Sequence, residues 1–107
     1  MLLKISRKYS PNFSNFKRSK KNINFLIIHY TGMKKEYDAI NRLINIQSEV
    51  SSHYLIKNDG EIIQLVPDLY VAWHAGKSMW HKKKFLNSHS IGIEISNPGH
   101  NNGYLKY

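Results

Sequence analysis

The 107-residue sequence predicts a single α/β domain built on a mixed β-sheet. Three observations support this class. The apolar run at 25–28 has the length of a strand, residues 36–47 carry apolar side chains at helical spacing, and Asn-Asp-Gly at 58–60 marks a hairpin turn. A chain of this length forms one domain, so these elements are expected to share one core.

The first predicted strand, at 23–30, contains the apolar run and then His29. An unbroken apolar run of this length is typical of a strand that is buried on both faces. His29 falls at the C-terminal end of the strand, where α/β sheets usually place functional groups. The alternative is that His29 is a hydrogen-bonded polar residue that ends the strand and has no chemical role.

The next elements are predicted to cover and extend the sheet. From Glu36 to Gln47, one helical face carries Tyr37, Ile40, Leu43 and Ile44, which indicates an amphipathic helix of about three turns. Strands at 50–57 and 61–66 follow, joined by an Asp-Gly turn, and Pro67 ends the second strand. His53 lies in the first of these strands, where we favour a buried histidine bonded to neighbouring backbone.

Residues 71–76 are predicted to form a loop that carries Trp73 and His74. An exposed indole face beside an imidazole would suit the wall of a binding groove, whereas the alternative is a tryptophan that fills the core. The stretch from Lys77 to Asn87 is basic, irregular and contains aromatic residues. That combination would also suit nucleic acid.

The last predicted strand, at 90–96, carries the residue that most strongly indicates function. Its alternation places three isoleucines on one face and Gly92 with Glu94 on the other. A carboxylate within an apolar strand is costly unless it is paired or used, and a glycine beside it leaves room for a ligand or another backbone. Glu94 is therefore a candidate functional residue, and the alternative is a salt bridge to a buried lysine.

Composition limits the partners and the kinds of site. The net charge of +9 predicts an anionic partner, which could be nucleic acid, an acidic membrane surface or an anionic cell-wall polymer. The chain has no cysteine, so histidine and carboxylate would have to hold any metal. Residues 1–22 are predicted to form a basic N-terminal arm. Its first part is expected to be ordered, and its second part is expected to be a loop that contains the basic cluster at 17–21. That cluster either contacts an anion or is simply solvated.

Neither a signal peptide nor a transmembrane segment is recognisable in the sequence. Residues 1–5 are too few, and too soon interrupted by charge, to form the apolar core of a signal peptide. The expected location is therefore the cytoplasm. A different start codon would make the periplasm or cell envelope possible.

Six short motifs occur in an order that resembles the zinc-dependent N-acetylmuramoyl-L-alanine amidases, which share a fold with peptidoglycan recognition proteins. They are His-Tyr-Thr-Gly-Met at 29–33, Val-Ser-Ser-His-Tyr-Leu-Ile at 50–56, Asn-Asp-Gly at 58–60, Ala-Trp-His-Ala-Gly at 72–76, Ser-Ile-Gly-Ile-Glu-Ile at 90–95 and Asn-Pro-Gly-His at 97–100. Ser-Pro-Asn-Phe at 10–13 also resembles the start of that domain. The resemblance implies an α/β fold with a mixed β-sheet flanked by helices, as one partial amidase domain over 1–107.

The same resemblance implies a reaction and roles for individual residues. The family cleaves the amide between the lactyl group of N-acetylmuramic acid and L-alanine in peptidoglycan or muropeptides. His29 matches the first zinc ligand, and Glu94 matches the glutamate that activates the zinc-bound water. His74 and Trp73 match positions near the substrate, whereas His53 is structural or lies beside the groove. His100 matches neither of the other ligands, so the remaining zinc ligands are expected beyond residue 107.

We therefore expect the chain to correspond to the first two-thirds of an amidase, lacking a helix that covers one face of the sheet. This predicts low solubility, weak or no zinc binding, and no amidase activity for the 107-residue chain itself. One alternative function is a non-catalytic peptidoglycan-binding module or inactive amidase fragment. Another is nucleic-acid binding. This alternative is less favoured, because the sequence shows no helix-turn-helix, zinc-finger or RNA-binding sheet signature.

Overall fold

The computed structural model describes residues 3–75, 79–80, 83–84 and 86–99. The described strands and helix, in chain order, are β1 (Ile5–Arg7), β2 (Phe13–Lys17), β3 (Phe25–Tyr30), α1 (Glu36–Ile44), β4 (Tyr54–Ile56), β5 (Ile62–Gln64), β6 (Tyr70–Ala72), β7 (Met79–Trp80), β8 (Lys83–Lys84) and β9 (Ser90–Ile95). Short 3₁₀ turns occupy Lys20–Asn22, Ile46–Ser48 and Leu86–His89. The α/β class predicted from the sequence is confirmed.

Five of the strands form one mixed sheet in the order β1-β5-β4-β9-β3. β9 lies between β4 and β3 and runs parallel to both, whereas β4 and β5 form an antiparallel hairpin. The remaining described strands form two small antiparallel pairs, β2 with β6 and β7 with β8. The parallel strands β3 and β9 therefore end at the same edge of the sheet, where their last residues come together.

The prediction that the first strand is buried on both faces is wrong. Its side chains alternate, so that Phe25, Ile27 and His29 are half-buried while their neighbours point to the other face. On that second face the exposed fractions are 62% for Leu26, 60% for Ile28 and 49% for Tyr30. The reason is position: β3 is at the edge of the sheet, and α1 packs on only one face. Because these three side chains are exposed, the second face presents an apolar surface.

Helix α1 packs on one face of the sheet, and the buried core lies between the helix and that face. Its Leu43 packs with Leu55, Ile63 and Leu65 in one buried cluster. The helix is shorter than the predicted range of 36–47, because Asn45 adopts an extended conformation with φ −86° and ψ 122°. The Asn45 side chain then accepts a hydrogen bond from the backbone N–H of Gln47, which begins a 3₁₀ turn.

The hairpin between β4 and β5 agrees with the sequence prediction, although both strands are shorter than 50–57 and 61–66. Gly60 has φ +89°, the left-handed conformation that an Asp-Gly turn supplies. Backbone hydrogen bonds from Gly60 to Lys57 and from Lys57 to Glu61 close the turn.

The N-terminal arm is part of the fold rather than an appendage. β1 adds a parallel strand at the edge of the sheet beside β5. Asn12 is fully buried, and its side-chain amide donates to the carbonyl oxygens of Asn45 at 2.9 Å and Val50 at 2.8 Å. These bonds connect the arm to the segment that links α1 with β4.

Neither interpretation of the basic cluster fits Arg18, which is buried. Its guanidinium donates to the carbonyl oxygen of Asp68 at 2.8 Å and to that of Asn87 at 3.0 Å. Burial lowers the pKa of Arg18 from its ordinary value, and Asp68 partly offsets this effect. Arg18 therefore links two distant segments, whereas Lys17, Lys20 and Lys21 are exposed.

The predicted loop at 71–76 begins inside a strand. Val71 and Ala72 belong to β6, which pairs antiparallel with β2, and only then does the backbone leave the strand. The three residues of β6 are too few to show an alternating pattern in the sequence, and the strand is held by its pairing with the distant β2.

Within the basic stretch 77–87, the structure describes the β7–β8 pair, Leu86 and Asn87. The other residues of this stretch lie outside the described residues. No helix among the residues described is long and apolar enough to cross a membrane.

Replacing Asn12 with alanine should destabilise the fold. The change leaves the carbonyl oxygen of Val50 without its side-chain donor and removes one of the donors to the carbonyl oxygen of Asn45, which Ser48 also contacts; loss of a buried hydrogen bond typically costs about 1–3 kcal/mol. Urea denaturation of Asn12→Ala against the parent measures the loss. Replacing the exposed Asn15 with alanine is the matched control, and equal midpoints for the two variants would contradict the assignment.

Polar substitutions on the exposed face of β3 should reduce self-association without loss of stability. Leu26→Thr with Ile28→Thr keeps strand propensity and removes exposed apolar surface. Light scattering measures association, and urea denaturation measures stability. Leu55→Thr, at a side chain that is 0% exposed, is the contrasting variant and should be strongly destabilised. A similar loss of stability in the double variant would show that the face is covered in solution.

Candidate active site

The register between β3 and β9 places the two predicted functional residues side by side. His29 pairs with Glu94, as Ile27 pairs with Gly92 two residues earlier. Partners in a parallel pair point to the same face of the sheet, and here that face is the one covered by α1. The sequence predicted the two residues separately, and the strand pairing brings them together.

Glu94 lies beneath α1 at the bottom of a narrow cleft. The cleft is lined by Thr31, Met33 and three residues of α1, and it has room for about one water molecule. The Oε2 atom of Glu94 is buried, and within the described residues it has no hydrogen-bond partner. Burial raises the pKa of Glu94, while Arg42 acts in the opposite direction more weakly. The predicted alternative, a salt bridge to a buried lysine, is not present among the described residues.

His29 meets a second histidine across the site. Its Nε2 atom lies 3.0 Å from Nδ1 of His74, and the two rings are inclined at 69°. The Nε2 atom of His74 lies 2.9 Å from the hydroxyl oxygen of Ser90, whose own proton is donated to the carbonyl oxygen of Leu86 at 2.6 Å. Four residues from three segments are thus joined in one chain of hydrogen bonds.

The imidazole of His74 has space only because residue 92 is glycine. A Cβ atom at Gly92 would lie 2.4 Å from Cγ of His74, well inside van der Waals contact. Burial lowers the pKa of His74 to about 3, and the neighbouring His29 and His53 contribute further. Burial also lowers the pKa of His29. Both rings are therefore neutral near neutral pH.

His53 is a buried histidine bonded to backbone groups, as the sequence favoured. It is 0% exposed, its Nδ1 accepts from the backbone N–H of Gly92 at 3.1 Å, and its Nε2 donates to the carbonyl oxygen of Tyr70 at 2.8 Å. The Nη2 atom of Arg18 is 3.1 Å from the same nitrogen, but that nitrogen already carries a proton, so Nη2 donates elsewhere. Burial lowers the pKa of His53, in agreement with a neutral ring.

The segment that carries Trp73 and His74 is held by backbone hydrogen bonds. The backbone N–H groups of His74 and Ala75 both donate to Oδ1 of Asn87, at 3.1 and 2.8 Å. The indole N–H of Trp73 donates to the hydroxyl of Ser14 at 3.1 Å, and the indole is half-buried rather than exposed. The predicted contacts of Trp73 and His74 with substrate stay predictions.

Sequence reasoning did not find Ser90 or Asn87. Serine and asparagine are common in turns and at strand ends, so neither has a distinctive pattern. The available signal was Gly92, whose missing side chain indicated that something approaches the strand closely. In the structure that neighbour is His74.

The described residues fit a zinc site in part. His29 offers a neutral nitrogen and Glu94 a carboxylate beside it, which are suitable groups for a catalytic zinc and its general base. The described part of the chain holds no group of three histidine, cysteine or acidic residues that could bind a metal together. The other ligands would therefore come from outside the described residues, and His100 lies outside them as well.

Comparison with known proteins shows that most of the chain matches one protein family. Residues 19–106 match the N-acetylmuramoyl-L-alanine amidase family, Amidase_2. The N-acetylmuramoyl-L-alanine amidase AmiD of Escherichia coli is 42% identical over 84 residues, which are 72% of this chain and 29% of that protein. The chain therefore spans less than a third of the length of that relative.

Two solved structures show the same fold. The chain matches AmpDh3 from Pseudomonas aeruginosa with a TM-score of 0.70 and 27% identity, over 94% of this chain and 45% of that one. It matches Escherichia coli AmiD, in complex with the substrate anhydro-N-acetylmuramic acid-L-Ala-D-γ-Glu-L-Lys, with a TM-score of 0.62 and 36% identity. That match covers 83% of this chain and 38% of AmiD. With most of its residues matched by the family, the chain belongs to the N-acetylmuramoyl-L-alanine amidases.

Proposed function

We propose that this chain provides part of the active site of a zinc-dependent amidase that cleaves the bond between N-acetylmuramic acid and L-alanine in peptidoglycan or muropeptides. The observation that carries the proposal is the in-register pairing of His29 with Glu94 on one face of the sheet. The buried Oε2 atom of Glu94, which has no hydrogen-bond partner among the described residues, supports it, because such an atom is unfavourable in a purely structural role.

In this proposal His29 is one metal ligand, and the rest of the ligand set comes from outside the described residues. A zinc ion bound there would polarise the amide carbonyl and acidify a water molecule. Glu94 accepts a proton from the attacking water and delivers it to the departing amine nitrogen of L-alanine. Its raised pKa suits this exchange, because burial makes the carboxylate a stronger base than an exposed glutamate.

The cleft beside Glu94 supports the same role. Leu43 and Ala39 of α1 line its wall, so the carboxylate is shielded on that side by apolar groups. An attacking water molecule in the cleft would have the carboxylate of Glu94 as a partner, beside the polar lining residues Thr31 and Arg42. The carboxylate would direct it as well as take its proton.

A second candidate function is non-catalytic binding of muropeptides. One observation favours it: within the described ranges, no group of three histidine or acidic residues completes a metal site around His29. The two functions differ in a muropeptide digest with added zinc, followed by mass spectrometry. Chelator-sensitive release of L-alanine-terminated peptides supports the amidase, whereas retention on insoluble peptidoglycan without cleavage supports the binding module.

The digest is best run on two forms of the protein. One is the 107-residue chain, and the other is the same chain extended by the C-terminal part of AmiD. Activity in the extended form alone would place the missing ligands in the added part. Cleavage in neither form, with both folded, would contradict the proposed function.

Glu94→Gln should lower turnover by at least ~10²-fold, the scale of general base catalysis, in whichever form is active. The amide keeps the shape of the side chain but cannot accept the proton. Zinc content, measured on the same preparations, should be unchanged. Near-parental turnover in the variant would remove Glu94 from the mechanism.

The same substitution should stabilise the fold near neutral pH. Because the folded state raises the pKa of Glu94, the folded protein binds this proton more tightly than the unfolded chain does. Stability is therefore lost as pH rises from the ordinary glutamate pKa through the raised one, and glutamine avoids that loss. Urea denaturation should show Glu94→Gln as the more stable protein at neutral pH, with the difference vanishing below the ordinary glutamate pKa. A variant that is less stable at neutral pH would indicate a stabilising partner for the carboxylate.

His29→Ala should abolish zinc retention by the extended form. Loss of one of three ligands leaves a site too weak to compete with chelators in the buffer. Metal analysis after dialysis measures the effect. His89→Ala is the matched control, because this imidazole has its hydrogen bond with the carbonyl oxygen of Asn22 and none with the candidate site residues described above. Equal zinc in the His29 variant and the control would return His29 to a structural role.

A further inference from the structure

The hydrogen-bond chain through Ser90 determines which nitrogen of His74 carries a proton. The hydroxyl of Ser90 has one proton, and the carbonyl oxygen of Leu86, at 2.6 Å, can only accept it. The same hydroxyl oxygen must then accept from Nε2 of His74, at 2.9 Å. His74 therefore carries its proton on Nε2.

The second nitrogen of His74 is then an acceptor. The neutral imidazole has one proton, so its Nδ1 presents a lone pair toward Nε2 of His29 at 3.0 Å. Two lone pairs at that distance would repel, so Nε2 of His29 must carry a proton and donate it. The remaining ring nitrogen of His29, Nδ1, makes no hydrogen bond within the described residues and is left with a free lone pair.

We propose that His74 is a positioning residue that holds His29 in the Nε2–H tautomer and so presents Nδ1 as the nitrogen for the metal. This deepens the proposed amidase function and rests on it for the identity of the ligand. A metal-bound histidine usually donates its other ring N–H to a fixed acceptor, which sets the tautomer and the orientation of the ring. The acceptor is commonly a carboxylate or a carbonyl oxygen, and here it is a second histidine.

The surroundings of His74 fit a positioning role. The backbone of the loop is fixed by Asn87, the Nε2 atom by Ser90, and the ring lies against the backbone of Gly92. Because both nitrogens of His74 are used within the protein, the ring has little freedom to turn toward a ligand.

Two substitutions at position 74 separate positioning from simple packing. In His74→Asn, the amide oxygen can take the place of Nδ1 and accept from His29. In His74→Gln, the amide lies one atom further out, near the former Nε2, where it contacts Ser90 and leaves His29 without its acceptor. The two side chains have the same functional group, so a difference between them reports the hydrogen bond to His29.

The test uses the metal-free 107-residue chain with ¹⁵N-labelled histidine. Long-range ¹H–¹⁵N correlation spectra identify the protonated nitrogen of each imidazole, and exchange with water reports how firmly the proton is held. In the parent, we expect His29 and His74 both to be protonated on Nε2. In His74→Ala and His74→Gln, the His29 Nε2–H should exchange about five- to tenfold faster, the factor expected for loss of one typical hydrogen bond. His74→Asn should restore slow exchange.

Controls and contrary outcomes are defined on the same samples. His89→Ala should leave the His29 signals unchanged, and Gly92→Ala should reproduce His74→Ala if it folds, because the new methyl group displaces the ring. A proton on Nδ1 of His29, or equal exchange in the alanine, glutamine and asparagine variants, would overturn the proposal.

Addition of zinc then tests the ligand nitrogen. A metal-induced ¹⁵N shift at Nδ1 of His29 supports the proposal, and a shift at Nε2 overturns it. If zinc changes neither nitrogen, the metal-free spectra still decide the role of His74, and the failure concerns the proposed function alone.

Discussion

The site depends on the parallel register of β3 with β9. This pairing is continued by backbone hydrogen bonds beyond both ends of the two strands, from Asn24 to His89 and from Thr31 to Ile95. A slip of one residue would move His29 to the opposite face from Glu94, because side chains alternate along a strand. The same register aligns Ile27 with Gly92 and leaves the space that His74 occupies. One backbone arrangement thus sets both the pairing of the two candidate functional residues and the position of His74 beside them.

The elements that depend on local pattern could be predicted from the sequence. The β4–β5 hairpin follows from its Asp-Gly turn, and the alternation in 90–95 correctly placed Gly92 and Glu94 on one face. Elements that depend on pairing with distant residues could not be found in this way. β1 and β6 are three residues each, too short for a detectable period, and they exist because β5 and β2 lie beside them.

Burial was harder to predict than secondary structure. The apolar run in β3 indicates a strand, but it does not say whether both faces are covered, which depends on the order of strands and on where α1 packs. Arg18 was missed for a related reason. A lysine-rich surrounding suggested solvent, whereas its guanidinium reaches backbone carbonyl oxygens in segments about 50 and 69 positions away. In the candidate site, His29 and Glu94 could be singled out from the sequence as candidates, but the hydrogen-bond chain through His74 and Ser90 joins segments whose proximity only the fold reveals.

The neutral imidazoles of His29, His53 and His74 add little positive charge to the candidate site, so most of the positive charge of this protein lies elsewhere. The sequence carries a net charge of +9, and lysines such as Lys20 and Lys21 lie exposed at the surface, whereas His29, His53 and His74 add little charge near neutral pH. An anionic polymer would therefore be steered by a diffuse surface field, and at the candidate site it would meet uncharged rings and the carboxylate of Glu94, with Arg42 nearby. Ionic strength would then change how fast such a polymer encounters the protein, while the local field felt by a bond beside Glu94 stays nearly constant.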